Sequence, residues 1–324
     1  MSAGAVNTPQ LLMLSGIGDK TQLSKFKIKT IINSPNVGKN MQDHVVLPNV
    51  WSVNAAFTYD DVARNASIAQ AYLAQWIAKK TGPFATAPNE EIGWFRLPRN
   101  ASIFDTVRDP SSGSYSPHYE FIFAVRHSST LLHLENLLKY FSVLVGVLRF
   151  FRRAEAGNWA LHDDCLEPHH SYFAYISHRI STAYDTGSDA RSIVGGTVTL
   201  RSENPWQAPL IDPALLSTDF DIFAIREAIK AAQRFAASPG WDGYVIGPFG
   251  DLATARTDAE IEAYARRNAA TVFHPVGTAA MGPKHSSTGV VDPHFVVKGA
   301  VGLRVVDASV FVGFPSWGML LHAH

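Results

Sequence analysis

The chain of 324 residues carries a single cysteine, Cys165. No internal disulfide can form and no thiolate metal cluster can assemble, so cysteine usage leaves the redox compartment open. An excess of one charge is also missing, because Lys plus Arg equals Asp plus Glu at 28 each. Nothing in that balance points to a nucleic acid, an anionic membrane surface or a highly charged partner, and a neutral substrate fits it better. No hydrophobic run is long enough to span a bilayer. The most apolar stretch, Tyr140 to Leu148, is closed off by Lys139 and Arg149 and reads as a buried or amphipathic helix. The start, Met1-Ser2-Ala3-Gly4, shows neither a basic n-region nor an apolar h-region, so no signal peptide is visible there. Also missing are a G-x-S-x-G nucleophile elbow, an internal repeat and a low-complexity tract. The scattered Ser, His and Asp residues therefore do not support a hydrolase.

What is present suffices for a folded protein, since 46% apolar residues in a chain of this length can fill a substantial core. An apolar run from Pro9 to Leu14 has a helical pattern, with Pro9 at its first turn and Ser15-Gly16-Ile17-Gly18 as its stop. Gly16-Ile17-Gly18-Asp19-Lys20-Thr21 superficially suggests a phosphate loop, but it is expected to end a helix rather than open one. Further helices are predicted over Ser67 to Lys79, Leu131 to Arg152, Asp219 to Ala237 and Asp258 to Asn268. Strands are predicted over Tyr119 to Val125, Tyr172 to Ile176 and Gly196 to Leu200, with Leu303 to Ser309 also strand-like. Asn65-Ala66-Ser67 and Asn100-Ala101-Ser102 are glycosylation sequons that matter only in the secretory pathway. His162 to His170 crowds His, Asp, Cys and Glu together without ligand spacing, so solvated loop chemistry is the better reading and no metal is assigned.

The most specific chemical signal is Phe273-His274-Pro275-Val276-Gly277-Thr278. Histidine can accept a proton near neutral pH, and a following proline biases it toward an extended backbone. A histidine so placed is held and aimed.

Several segments together carry a resemblance. Gly4 to Gly18, Asn36-Val37-Gly38-Lys39-Asn40-Met41-Gln42-Asp43-His44, Gly196 to Pro205 and His274 to Thr278 resemble the glucose-methanol-choline (GMC) oxidoreductases over nearly the whole chain. Within the family, Leu215 to Phe223 and Val290-Val291-Asp292-Pro293 are most similar to fungal aryl-alcohol oxidases and pyranose dehydrogenases. The resemblance implies FAD-dependent oxidation of an alcohol CH–OH group, with His274 as the general base. A small, neutral, aromatic alcohol is the implied substrate, with Phe273 in the wall of its pocket. Asn40, Met41, Asp43, His44, Pro275, Val276, Gly277, Asp307 and Ala308 match segments that lie near the cofactor in relatives. The implied fold class is α/β plus α+β. Residues 1–50 and 266–318 would form an incomplete FAD-binding, Rossmann-like domain, and 51–265 an antiparallel-sheet substrate-binding domain flanked by helices.

Three departures accompany the resemblance. The family's G-x-G-x-x-G pyrophosphate turn does not occur in this sequence. The position of the family's second catalytic partner falls on Gly318, which has no side chain to donate or accept, and the tail 319–324 matches nothing in the family. A truncated, non-catalytic fragment is therefore the alternative reading.

Overall fold

The computed structural model describes residues 1–54, 62, 65–85, 91–111, 113–123, 170–178 and 195–313. The helix predicted over Leu131 to Arg152, the stretch from His162 to His169, Gly318 and the tail lie outside the described residues.

Helix α1 spans Gly4–Leu14, so Pro9 sits in its interior and not, as the sequence suggested, in its first turn. Proline cannot donate to the carbonyl four residues back. Here that carbonyl belongs to Ala5, and the Thr278 hydroxyl donates to it instead at 2.6 Å. The helix tolerates Pro9 because a distant side chain fills the gap. Gly16 follows the helix end at φ +81, where a Cβ would stand 2.5 Å from the Lys29 carbonyl.

Strand β1 (Ile17–Gly18) pairs in parallel with β2 (Ile32–Asn33), and α2 (Lys20–Lys25) lies between them. The stretch from Gly16 to Thr21 thus ends one helix and, contrary to expectation, opens another. Asp19 caps α2 by accepting from the Thr21 N–H at 2.8 Å. That carboxylate takes an amide that a phosphate would need, and it repels the phosphate's charge.

The remaining strands are β3 (Val45–Val53), β4 (Glu91–Phe95), β5 (Tyr119–Phe123), β6 (His170–His178), β7 (Thr197–Thr199), β8 (Leu210–Asp212), β9 (Val245–Pro248) and β10 (Ala270–Thr271). Six of them form an antiparallel sheet in the order β10-β3-β6-β5-β4, with β9 also on β3; β7 and β8 form a separate antiparallel pair. The central strand β3 escapes sequence reading because Pro48 and Asn49 interrupt its apolar pattern. The structure accommodates Pro48 between β10, which pairs with Val45 and Val46, and β9, whose pairing with β3 begins at Trp51. The Pro48 carbonyl is taken by the Tyr264 hydroxyl at 2.6 Å.

Helix α3 (Ala66–Lys79) is capped by the sequon residue Asn65, whose side-chain oxygen accepts from the Ser67 and Ile68 amides. Helix α4 (Asp219–Ala236) packs on the sheet. Phe220, Ala224, Ile225, Ala228, Ile229, Ala232 and Ala236 recur at helical spacing on its buried face. They meet Val45, Leu47 and Trp51 of β3, Phe121 of β5, and Ile261 and Tyr264 of α5 (Asp258–Asn268) in one core. A second core joins Leu12, Met13, Leu23 and Val37 to Leu200, Val290, Val291, Val297, Val305 and Val310.

The stretch Leu303 to Ser309 is not a strand. Arg304 alone bridges to Val296, and Ala308–Val310 is a 3₁₀ turn capped by Asp307. The Asp307 carboxylate accepts from Ser309 N at 2.8 Å, Gly4 N at 3.1 Å and Thr8 Oγ1 at 2.6 Å. Those bonds pull the chain off an extended course and onto the start of α1. The result is a mixed helix and small-sheet fold.

Candidate functional site

Residues 40 to 44 run between two other segments and tie them together. On one side Met41 exchanges backbone hydrogen bonds with Gly196 at 2.9 and 2.8 Å; on the other Gln42 exchanges them with Val276 at 3.0 and 2.9 Å. Gly277 lies at φ +87 against Asn40, so close that an added Cβ would stand 2.5 Å from the Asn40 carbonyl. Only glycine meets both the conformation and the contact. The Gly277 N–H in turn donates to the Ala308 carbonyl at 3.2 Å. These bonds bring Asn40, Met41, Asp43, His44, Pro275, Val276, Gly277 and Ala308 into one neighbourhood, although they come from three distant parts of the sequence. Asp307 joins through its own backbone, with its carboxylate spent on α1 and the 3₁₀ turn.

Asp43 is the hub of this neighbourhood. Its Oδ1 accepts the main-chain N–H of His44 at 2.8 Å and that of His274 at 3.0 Å. Its Oδ2 accepts from the Thr271 hydroxyl. The Thr271 oxygen itself accepts from Phe273 N at 2.8 Å. Phe273 sits at φ +62, a left-handed conformation that is uncommon for a bulky side chain. The carboxylate and hydroxyl hold that corner in place. Burial pushes the Asp43 carboxyl above its ordinary range, outweighing the hydrogen bonds from Thr271, His274 and His44. At Asp307 burial pushes up too, but the bonds from Ser309, Thr8 and Gly4 outweigh it and hold the carboxyl low.

The His274 ring is half-buried, and its Nδ1 lies 3.5 Å from Nδ1 of the buried His44. The two rings meet edge to face, with centroids 5.7 Å apart and planes at 83°. The Phe273 ring beside them stays exposed. Chemically, this is an anchored imidazole next to an open apolar surface. A cavity of about 40 Å³ beside Asp43 is lined by Met41, Gln42, Asp43, Leu216 and Asp221, among others. Burial pushes the Asp221 carboxyl up to about 6.

Thr271 was not singled out in the sequence, and Thr278 stood there only as the end of the His274 motif. Their roles depend on partners more than 200 residues away, and no local pattern reveals them. Among the described residues, no group of three His, Cys, Asp or Glu could hold a metal ion. No described helix is long and apolar enough to cross a membrane.

Models of the GMC oxidoreductases match residues 1–46 and 193–321, which together contain every residue of this neighbourhood. The chain belongs to the GMC oxidoreductase family. It is 32% identical to the dehydrogenase eriK of Hericium erinaceus, over 98% of this chain and 46% of the relative. Pyranose dehydrogenase of Agaricus campestris is also 32% identical, with the same coverage. Among solved structures, an Aspergillus oryzae formate oxidase variant studied for its FAD modification superposes with a TM-score of 0.74 at 28% identity, covering 98% of this chain and 50% of that one. The chain thus spans about half the length of the curated relatives it matches.

Proposed function

We propose that this GMC chain carries the proton-accepting end of an FAD-dependent oxidation of an alcohol CH–OH group. The observation that supports it most is the anchoring of His274: a half-buried imidazole, its amide fixed on buried Asp43, within a family-matched segment. An alcohol becomes a good hydride donor only as its oxygen gains negative charge, and a neutral imidazole within hydrogen-bond reach provides for that near neutral pH. His274 is the general base in this reading, and it takes the hydroxyl proton. When bound, FAD supplies the hydride acceptor.

The residues at hand suit the ring end of such a cofactor. Gln42 Oε1, between Met41 and Asp43, is buried without a hydrogen-bond partner and is the kind of polar atom a flavin edge would satisfy. Asn40, Met41, Asp43, His44, Pro275, Val276, Gly277, Asp307 and Ala308 would surround that end. Among the described residues, the phosphate-loop-like turn at Gly16 to Thr21 is capped by Asp19 and offers no pyrophosphate cradle. In the same reading, residues 1–50 and 266–318 build a Rossmann-like, FAD-binding part around the second core, and 51–265 a substrate-binding part around the antiparallel sheet.

Exposed Phe273 favours a small neutral aromatic alcohol. Similarity to pyranose dehydrogenase favours a sugar hydroxyl as the second reading. The test is direct. The purified chain is given FAD, freed of excess and scanned for bound flavin, then offered a benzylic alcohol and a pyranose with an electron acceptor. The expected outcome is retained flavin and turnover that falls about 10²–10⁴-fold in His274→Ala, the usual span for general acid–base catalysis. A colourless protein without turnover would sink the reading for this chain, and preference for the pyranose would replace the aromatic substrate.

A further inference from the structure

Two histidines from segments 230 residues apart face each other through the same ring nitrogen, Nδ1 to Nδ1 at 3.5 Å. A neutral imidazole carries one N–H and one lone pair, so in a neutral pair joined this way only one Nδ1 bears the hydrogen. The choice has a chemical consequence. If His274 bears it, the His274 Nε2 holds a lone pair and can accept a proton. If His44 bears it, the hydrogen of His274 sits on Nε2 and the base is blocked.

The backbone around the pair leaves little freedom to avoid this contact. Asp43 Oδ1 grips the amides of both histidines at 2.8 and 3.0 Å, which fixes the two main chains relative to each other. Thr271 braces the same carboxylate and the Phe273 amide. Among the described residues, Asp43 and His44 are titratable groups that face His274 across these contacts, and Asp43 is favourably placed for a positive charge on the His274 ring. This arrangement resembles the general logic in which a base is oriented through the nitrogen that does not meet the substrate.

We propose that His44 is a positioning residue: it accepts the Nδ1–H of His274, holds that ring in the tautomer whose Nε2 carries the lone pair, and keeps the bond when Nε2 is protonated. The proposal rests on the reading of His274 as the base. In the proton step the substrate O–H breaks, an Nε2–H forms on His274, and the Nδ1–H stays on His274, bonded to His44. His44 itself gains no proton.

The test reads the tautomer and needs neither flavin nor alcohol. The full chain is labelled with ring ¹⁵N-histidine and its ring nitrogens are recorded by NMR at a pH where His274 is neutral, with assignment from His274→Ala and His44→Asn. The expected wild-type pattern is a protonated Nδ1 and a pyridine-like Nε2 for His274. His44→Asn, whose side-chain oxygen falls near the lost Nδ1, should retain that pattern, whereas His44→Phe should shift His274 toward the Nε2–H form. Should His44→Phe not fold, His44→Gln takes its place, since it displaces the acceptor while remaining polar. An Nε2–H tautomer in the wild type, or one indifferent to removal of the acceptor, overturns the proposal. The two readings fail separately: alcohol oxidation can be absent with the tautomer intact, which removes only the base, or present with the tautomer lost, which removes only the role of His44.

Discussion

Helix α4 and the His274 corner are ordered by opposite means. The helix carries its own instructions: Thr218 and Asp221 form a reciprocal capping box at its start, and buried Ala and Ile recur every three or four residues along one face. The corner has almost none of its own. Its hydrogen bonds end on Asp43 and His44, more than 200 residues earlier, and its glycine is shaped to the Asn40 carbonyl. The helix would be recognised in any context, while the corner exists only after the chain has folded. The proposed function is concentrated where local sequence says least about geometry.

Three substitutions test that contrast, beginning with the most damaging. Gly277→Ala should be the most harmful, because it meets both a left-handed backbone and a contact of 2.5 Å with backbone. A loss of about 3 kcal/mol or more is expected in denaturant unfolding. If the variant unfolds like the wild type, the corner is looser than described. Ile225→Ala, in the face of α4 and fully buried, should cost about 3 kcal/mol through lost transfer energy and a residual cavity. It should leave the His44–His274 tautomer unchanged, and a change there would show that the helix and the corner are coupled.

Asp221→Asn should act with the opposite sign and depend on pH. The folded carboxyl is raised from 3.8 to about 6, with burial as the main cause. A raised carboxyl contributes stability that is fully present below the unfolded value, near 3.8, and is lost as pH rises through about 6. The wild type therefore carries a cost at pH 7 that asparagine avoids. A gain on the order of 2 kcal/mol is expected at pH 7 and almost none at pH 3.5. Thermal unfolding at the two pH values decides it; an equal effect at both would place the cause in the altered N3 side chain of the capping box and not in its titration.

Much of this was legible without coordinates, for identifiable reasons. α4 and α5 announce themselves by period and caps, and α5 repeats the capping-box device with Thr257 and Glu260. Strand β3 could not be read, because what permits Pro48 at the sheet centre is the spacing of β10 and β9 on either side of it. Pro9 in α1 poses the same problem, since its remedy, the Thr278 hydroxyl, lies 273 residues away from Ala5. Leu303 to Ser309 looked extended because the bonds that bend it come from Gly4 and Thr8.

The sequence by itself determined the family, the neutral charge balance, the amphipathic helices and the identity of the one histidine held by a proline. Each of these is written in neighbouring residues or in simple totals. Only the tertiary structure decided that Asp43 anchors His274, that His44 meets it through Nδ1, and that Asp19 closes the phosphate-loop-like turn. The physical reason is that hydrogen bonds are short and directional: they are decided by where folding places two groups in space, and residue order alone leaves that placement open.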